Sequence, residues 1–187
     1  MKNIAIFASG SGSNAENIIN YFKNNDQVNI SIILTNKKDA FVIERAKKHN
    51  IEHRVFNRTD FYETDLILDL LKNKKIDLIV LAGFLWLVPK NLISEYNNKI
   101  INIHPALLPN YGGKGMYGMN VHKAVKENNE TESGITVHFV DELYDNGEYI
   151  LQEKCSITNN DTPEDIANKI HELEYKYFPI AIEKVLK

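Results

Sequence analysis

The sequence predicts an α/β protein built on a doubly wound, mostly parallel sheet with helices on both faces, Rossmann-like in its amino-terminal half. Three observations predict it. Short apolar runs at residues 4–8, 28–34 and 77–81 alternate with stretches patterned for helices, the rhythm of βαβ units. The run Asp77-Leu78-Ile79-Val80-Leu81 is nearly continuous in apolar residues, as a central parallel strand covered on both faces requires. The first run meets Ser9-Gly10-Ser11-Gly12-Ser13-Asn14, and a helical pattern follows directly.

Taken in order, the first strand ends in that glycine loop. A helix should follow to Lys23, with Ile18, Ile19, Tyr21 and Phe22 on one side. A helix amino terminus carries free N–H groups and partial positive charge, so strand, glycine loop and helix together suit an anion. Gly10 and Gly12 permit the tight turn, and Ser11, Ser13 and Asn14 offer donors. The plainer alternative is that Ser13 or Asn14 caps the helix. Residues 28–34 read as the second strand and 40–49 as its helix. Residues 53–56 form a short third strand and 61–71 one helix. The strand at 77–81 runs into Gly83-Phe84-Leu85-Trp86-Leu87-Val88-Pro89, which is either core or site wall. A short helix over 90–96 leads to the next strand.

That strand, Lys99-Ile100-Ile101-Asn102-Ile103-His104, alternates its side chains, so Asn102 and His104 share one face and Ile101 and Ile103 the other. Pro105 lacks a ladder donor, and pairing should stop there. An Asn and a His therefore project together from a strand's carboxyl end, where open α/β sheets bind ligands. The alternative is a hydrogen-bonded core His beside a turn-capping Asn. Residues 111–120 are glycine-rich and read as a mobile flap; Lys114 precedes Gly115, so this is no Walker loop. Residues 121–128 should be helical. Residues 134–140 form a strand with Thr136 and His138 on one face, and 149–157 another after the turn signal Asn146-Gly147. Pro163 opens a long helix to Lys187, with Ile166, Ile170 and Leu173 as the stripe to be buried.

Composition narrows the class. The 187 residues, 43 % hydrophobic and 25 % charged, suit one soluble globular domain spanning 1–187. A net charge of −3 with both signs interspersed argues against nucleic-acid or membrane partners, and small-molecule substrates are expected. Cys155 is alone, which excludes an internal disulfide framework and fits a reducing compartment. The apolar run after Lys2 is too short for a signal peptide, and residues 78–89 are too short to span a bilayer. A cytoplasmic protein is expected. Nothing indicates its oligomeric state. The six histidines show no ligand spacing, so no metal is expected.

Gly10-Ser11-Gly12-Ser13-Asn14-Ala15 formally fits the dinucleotide fingerprint, yet the second strand runs into Thr35-Asn36-Lys37-Lys38 without the ribose-binding acid. A simple phosphosugar-binding module would explain the loop but not Asn102, His104 and Asp145. Those residues, with Leu81-Ala82-Gly83-Phe84, residues 102–109, Val137-His138-Phe139-Val140, Asp145-Asn146-Gly147, Ile150-Leu151-Gln152 and Glu174 before Pro179, are ones the chain shares with a known family. It resembles the phosphoribosylglycinamide formyltransferases, folate-dependent enzymes of purine biosynthesis, over essentially its whole length. Related formyltransferases acting on methionyl-tRNA, and the formyltetrahydrofolate hydrolases, carry additional domains that 187 residues do not accommodate.

The resemblance implies formyl transfer from 10-formyltetrahydrofolate to glycinamide ribonucleotide, through a tetrahedral intermediate expected to be stabilised by Asn102 and His104 with Asp145 assisting, so that these three are the catalytic residues. It implies that Gly12, Ser13 and Asn14 hold the substrate phosphate, with His171 and Glu174 lining the ribose-phosphate pocket. Folate contacts would come from Arg58, from Leu85, Trp86, Leu87 and Val88, from Asn102, and from Asp141, Glu142, Leu143, Tyr144 and Asp145. This chain departs from the family pattern at Trp86, where some members have arginine, in its longer 111–120 loop, and at Asn146, which replaces a glycine. An αL-tolerant Asn absorbs that last change. A carboxylate at Asp145 is also expected to raise the pKa of His104.

Overall fold

The structure is a computed structural model describing residues 1–187. Its strands order as β3-β2-β1-β4-β5-β6-β7 in a seven-stranded sheet, which is mostly parallel as expected. The chain divides into two compact units, residues 1–101 with Leu186, and residues 102–185 with Lys187.

In the first unit β1 (Lys2–Phe7) pairs in parallel with β2 (Val28–Thr35) on one side and β4 (Leu78–Leu81) on the other. β3 (His53–Val55) extends the β2 side, again in parallel. Strand order therefore reverses at β1 and β4, the switch point at whose carboxyl ends α/β sheets bind ligands. Ile4, Ile6, Leu78 and Val80 are all buried, which accounts for the unbroken apolar runs. α1 (Ser13–Phe22) buries Ala15, Ile18, Ile19 and Phe22, and α2 (Val42–Lys48) buries Val42, Ile43 and Ala46.

The helix expected over 61–71 is two helices, α3 (Arg58–Tyr62) and α4 (Leu66–Asn73). A reciprocal capping box between Asn57 and Asp60 starts α3 three residues early. Thr64 then ends it: its hydroxyl donates to the Asp60 carbonyl at 3.2 Å and accepts the Leu66 N–H at 3.3 Å. α5 (Lys90–Glu95) leads to β5 (Ile100–His104), which ends at the residue before Pro105, as expected.

The division between units falls inside β5, so Asn102 and His104 belong to the second. That unit contains α6 (Met119–Glu127), β6 (Glu132–Phe139), β7 (Tyr149–Ser156) and α7 (Pro163–Leu186). β6 and β7 pair antiparallel with Thr136 opposite Gln152. α7 begins with a Thr162–Asp165 capping box followed by Pro163. Its buried stripe holds Ile166 and Ile170 as expected, but Glu174 takes the place expected for Leu173, which is only half-buried. No helix is long and apolar enough to cross a membrane.

Candidate active site

Three groups in the second unit converge. β5 presents Asn102 and His104, β6 presents His138, and the turn after β6 presents Asp145. His104 is 3 % exposed, and its Nδ1 lies 3.5 Å from Asp145 Oδ1. Its other ring nitrogen, Nε2, is 2.8 Å from the Tyr111 carbonyl oxygen. A carbonyl only accepts, so the proton sits on Nε2 and Nδ1 is the face turned to Asp145. His138 follows the same logic: its Nδ1 donates to the Phe139 carbonyl at 2.7 Å, leaving Nε2 to accept from Asn102 Nδ2 at 3.1 Å. Asn102 Nδ2 is also 3.5 Å from Asp145 Oδ1, while Asp145 Oδ2 accepts the Gly113 N–H at 2.9 Å. The imidazoles and the carboxamide are thereby held in orientation by protein groups.

Local chain geometry explains how Asp145 gets there. Its own φ is 53°, in the left-handed region. The αL residue of this turn is therefore Asp145, and Asn146, where that tolerance was expected, does not need it. Gly147 is obligatory for a different reason: a Cβ there would stand 1.9 Å from the Phe139 carbonyl oxygen. The Asp141 carboxylate organises the turn, accepting from Leu143 N–H and Asn146 Nδ2, both at 2.8 Å. Beyond β5, Thr136 Oγ1 donates to the Ala106 carbonyl at 2.7 Å and accepts from Leu108 N–H at 3.0 Å. Gln152 Nε2 donates to the Leu108 carbonyl at 2.9 Å. The chain leaving His104 is pinned.

Electrostatically the pair does not behave as proximity alone predicts. Asp145 does favour the charged imidazolium, but burial outweighs it, and the pKa of His104 lies below the ordinary histidine value. The expectation of a raised value is thus corrected. Burial alone would push the Asp145 carboxyl up, yet the His138 and His104 imidazoles and the Gly113 N–H together hold it below the usual range. At neutral pH the site holds a carboxylate beside a neutral, buried imidazole.

The remaining predicted residues form separate groups. Gly12, with φ of 70°, is the N-cap of α1, and no side chain caps that terminus. The capping role considered for Ser13 or Asn14 is therefore not what starts the helix. A Cβ on Gly12 would lie 2.4 Å from Val42 Cγ2, so the glycine is required twice over. Ser9 stitches the neighbouring loops, its hydroxyl donating to Asn36 Oδ1 at 2.7 Å and accepting Leu85 N–H at 3.1 Å. On α7, His171 Nδ1 meets Glu174 Oε2 at 2.9 Å, and that contact raises the pKa of His171. Glu174 is buried and the His171 ring half exposed.

In the first unit the Arg58 guanidinium lies 5.0 Å above the Trp86 ring and 5.7 Å from that of Tyr62. Trp86 packs on Phe56, Phe61 and Phe84, while Tyr62 Oη donates to the Leu87 carbonyl at 2.9 Å. Leu85 is exposed, Trp86 and Leu87 are half-buried, and Val88 is core. In the Asp141–Asp145 turn, Glu142, Leu143 and Tyr144 are exposed. The 111–120 segment, expected to be a flap, begins fastened to the cluster through Tyr111 and Gly113. Tyr111 Oη also donates to Glu130 Oε1 at 2.7 Å. His138, Tyr111 and Gly113 join the site although the sequence reading does not single them out as site residues. For His138 the signal was available, since its strand alternation with Thr136 repeats that of Asn102 with His104. No cluster of three or more His, Cys, Asp or Glu side chains could hold a metal ion.

A mostly parallel sheet with a glycine loop after its first strand, and an Asn–His–Asp cluster at the end of β5, define a recognisable class. The chain belongs to the formyl transferase family, whose sequence model matches residues 2–182. Among individual relatives it is 38 % identical over 193 residues to phosphoribosylglycinamide formyltransferase of Bacillus subtilis, covering 100 % of this chain and 95 % of that one. It is 40 % identical to the chloroplastic enzyme of that name from Arabidopsis thaliana, over 95 % of this chain. The chain spans 63 % and 60 % of the lengths of the two plant chloroplast relatives it matches. The crystal structure of glycinamide ribonucleotide transformylase 1 from Geobacillus kaustophilus superposes with a TM-score of 0.90 at 35 % identity, each chain covered fully. The Bacillus halodurans phosphoribosylglycinamide formyltransferase gives 0.88 at 36 %, covering 100 % of this chain and 96 % of that one.

Proposed function

We propose that this chain transfers the formyl group of 10-formyltetrahydrofolate to the amine of glycinamide ribonucleotide, a step of de novo purine biosynthesis. The observation carrying this reading is the convergence of Asn102, His104 and Asp145 in a formyl transferase chain. Gly12, Ser13 and Asn14 take the substrate phosphate at the α1 amino terminus, where backbone N–H groups and the helix dipole favour an anion. His171 and Glu174 serve the ribose. Arg58, residues 85–88 and residues 141–145 serve the folate, with Trp86 giving an aromatic wall where some relatives carry arginine.

The substrate amine attacks the formyl carbon, a C–N bond forms, and the carbonyl oxygen becomes an oxyanion. The oxyanion then re-forms the carbonyl as the bond from that carbon to the folate nitrogen breaks, its electron pair leaving with the nitrogen. A proton must leave the attacking amine and reach the departing nitrogen, which takes from His104 the proton that His104 received. His104 is neutral before reaction because burial disfavours its charged form, so Nδ1 is free to take that proton. The imidazolium so formed lies between the Asp145 carboxylate and the Tyr111 carbonyl, both of which stabilise it. Asn102 has two amide N–H bonds. One is held by His138, and the other, long at 3.5 Å to Asp145, turns to the developing oxyanion. Removing such a donor typically costs roughly 10²–10³ in rate.

The test is direct assay of the purified chain with glycinamide ribonucleotide and formyl-folate, beside a titration with a nicotinamide dinucleotide. Formyl transfer without dinucleotide binding is expected. Dinucleotide binding without transfer would replace this reading with an oxidoreductase.

A further inference from the structure

The phosphate assignment rests on a loop whose shape its own residues do not enforce. α2 enforces it. Val42 N–H donates to the Gly10 carbonyl at 3.2 Å, and the Val42 side chain occupies the space a Cβ on Gly12 would need. Arg45 Nε–H donates to the Ser11 carbonyl at 2.8 Å. The same guanidinium is ion-paired with Glu16 and lies 5.1 Å over the Phe41 ring, and its side chain is 23 % exposed. One planar fork thus ties the carbonyl of the loop to the first turn of α1, a geometry a lysine cannot reproduce.

Glu16 is the second half of the argument. A carboxylate in the first turn suits the helix dipole when no ligand is present, but it opposes an arriving phosphate. Here it is 15 % exposed and surrounded by Arg45, by Lys48 Nζ at 2.8 Å and by His49 Nε2 at 3.0 Å. Burial, with the Lys48, Lys23 and Arg45 charges, holds His49 below its ordinary value, so His49 contributes a hydrogen bond and the two cations contribute the charge. We propose that Arg45 is a positioning residue for the substrate phosphate: it fixes the Ser11–Gly12 backbone and neutralises Glu16. This assignment rests on the phosphate reading of the loop.

The experiment compares wild type, Arg45→Met, Arg45→Lys, Glu16→Gln and the Arg45→Met/Glu16→Gln double variant. It records kcat, both KM values, inhibition by inorganic phosphate against glycinamide ribonucleotide, and the thermal midpoint. Arg45→Met is expected to raise the nucleotide KM and the phosphate inhibition constant together, by roughly tenfold, leaving kcat and the formyl-folate KM unchanged. Adding Glu16→Gln recovers the charge part of that loss and leaves the loop part. Arg45→Lys keeps the cation but loses the fork, so it falls between; it also carries the test should the methionine variant fail to fold. If phosphate competes in wild type but both Arg45 variants match it in KM and inhibition, whatever their thermal midpoints, the positioning role is overturned. If phosphate does not compete even in wild type, the phosphate reading fails, and this proposal with it.

Discussion

The glycine loop and the Asn102–His104–Asp145 cluster are built on opposite principles. The loop is backbone, shaped by a left-handed glycine and held from outside by partly exposed charges on α2. The cluster is side chain, drawn from a strand end, a neighbouring strand and a turn, and buried among its own hydrogen bonds. The difference teaches which changes each tolerates. A backbone site depends on conformation and fails through strain, with binding lost before chemistry. A buried side-chain site depends on protonation and orientation, and fails in the chemical step while substrates still bind.

The largest effect that sharpens this contrast is expected at Asp145. Asp145→Asn keeps the size of the group but removes the charge that stabilises the His104 imidazolium, and turnover should fall by roughly 10²–10⁴ with the nucleotide KM little changed. The formyl-folate KM, to which residues 141–145 contribute, should shift far less than turnover. A parallel rise in the nucleotide KM would erase the distinction between the two regions. Gly12→Ala should produce the converse. The φ of 70° and the contact with Val42 force the loop to shift, so the nucleotide KM rises and stability drops by about 1–3 kcal/mol, while kcat survives. Steady-state kinetics with urea unfolding checks both halves.

Acid unfolding is a smaller and more general signature of the buried cluster. His104, and outside the cluster His122, buried on α6, both sit below the ordinary histidine value because of burial. The unfolded chain therefore takes up protons first, from about pH 6.5 downward, and stability present above that pH is lost as pH falls toward the lowered folded values. Asp145, held low, adds a further loss at more acidic pH. His171, raised by Glu174, acts in the opposite sense but is half exposed and weaker. The urea midpoint should be lower at about pH 5.5 than at about pH 7.5. An equal midpoint would mean the imidazoles are not desolvated. The smallest effect is optical: a folate analogue should saturably quench Trp86, the one tryptophan in the chain. Binding without quenching would place Trp86 outside the folate contacts.

Much of this was legible in the sequence, for reasons that differ by residue. Strand alternation put Asn102 and His104 on one face, and Pro105 fixed where the strand ends, because both rules are local. The same alternation held His138, which carries no less weight in the network. The split of 61–71 into α3 and α4 was hidden because it depends on Asn57 and Thr64 side chains competing for backbone groups, which hydrophobic periodicity does not register. Glu174 replaced Leu173 in the buried stripe of α7 because the charged residue has a partner in His171. The direction of the His104 pKa shift was not legible either. It is a contest between a neighbouring carboxylate and burial, and burial exists only once the chain has folded.

The most direct measurement is a double-mutant cycle in kcat, under saturating substrates, with His104→Asn, Asp145→Asn and the pair together. If the imidazole and the carboxylate move one proton as a unit, the double variant loses far less than the product of the single losses. Losses that simply multiply would mean the two groups act independently, and would contradict the account.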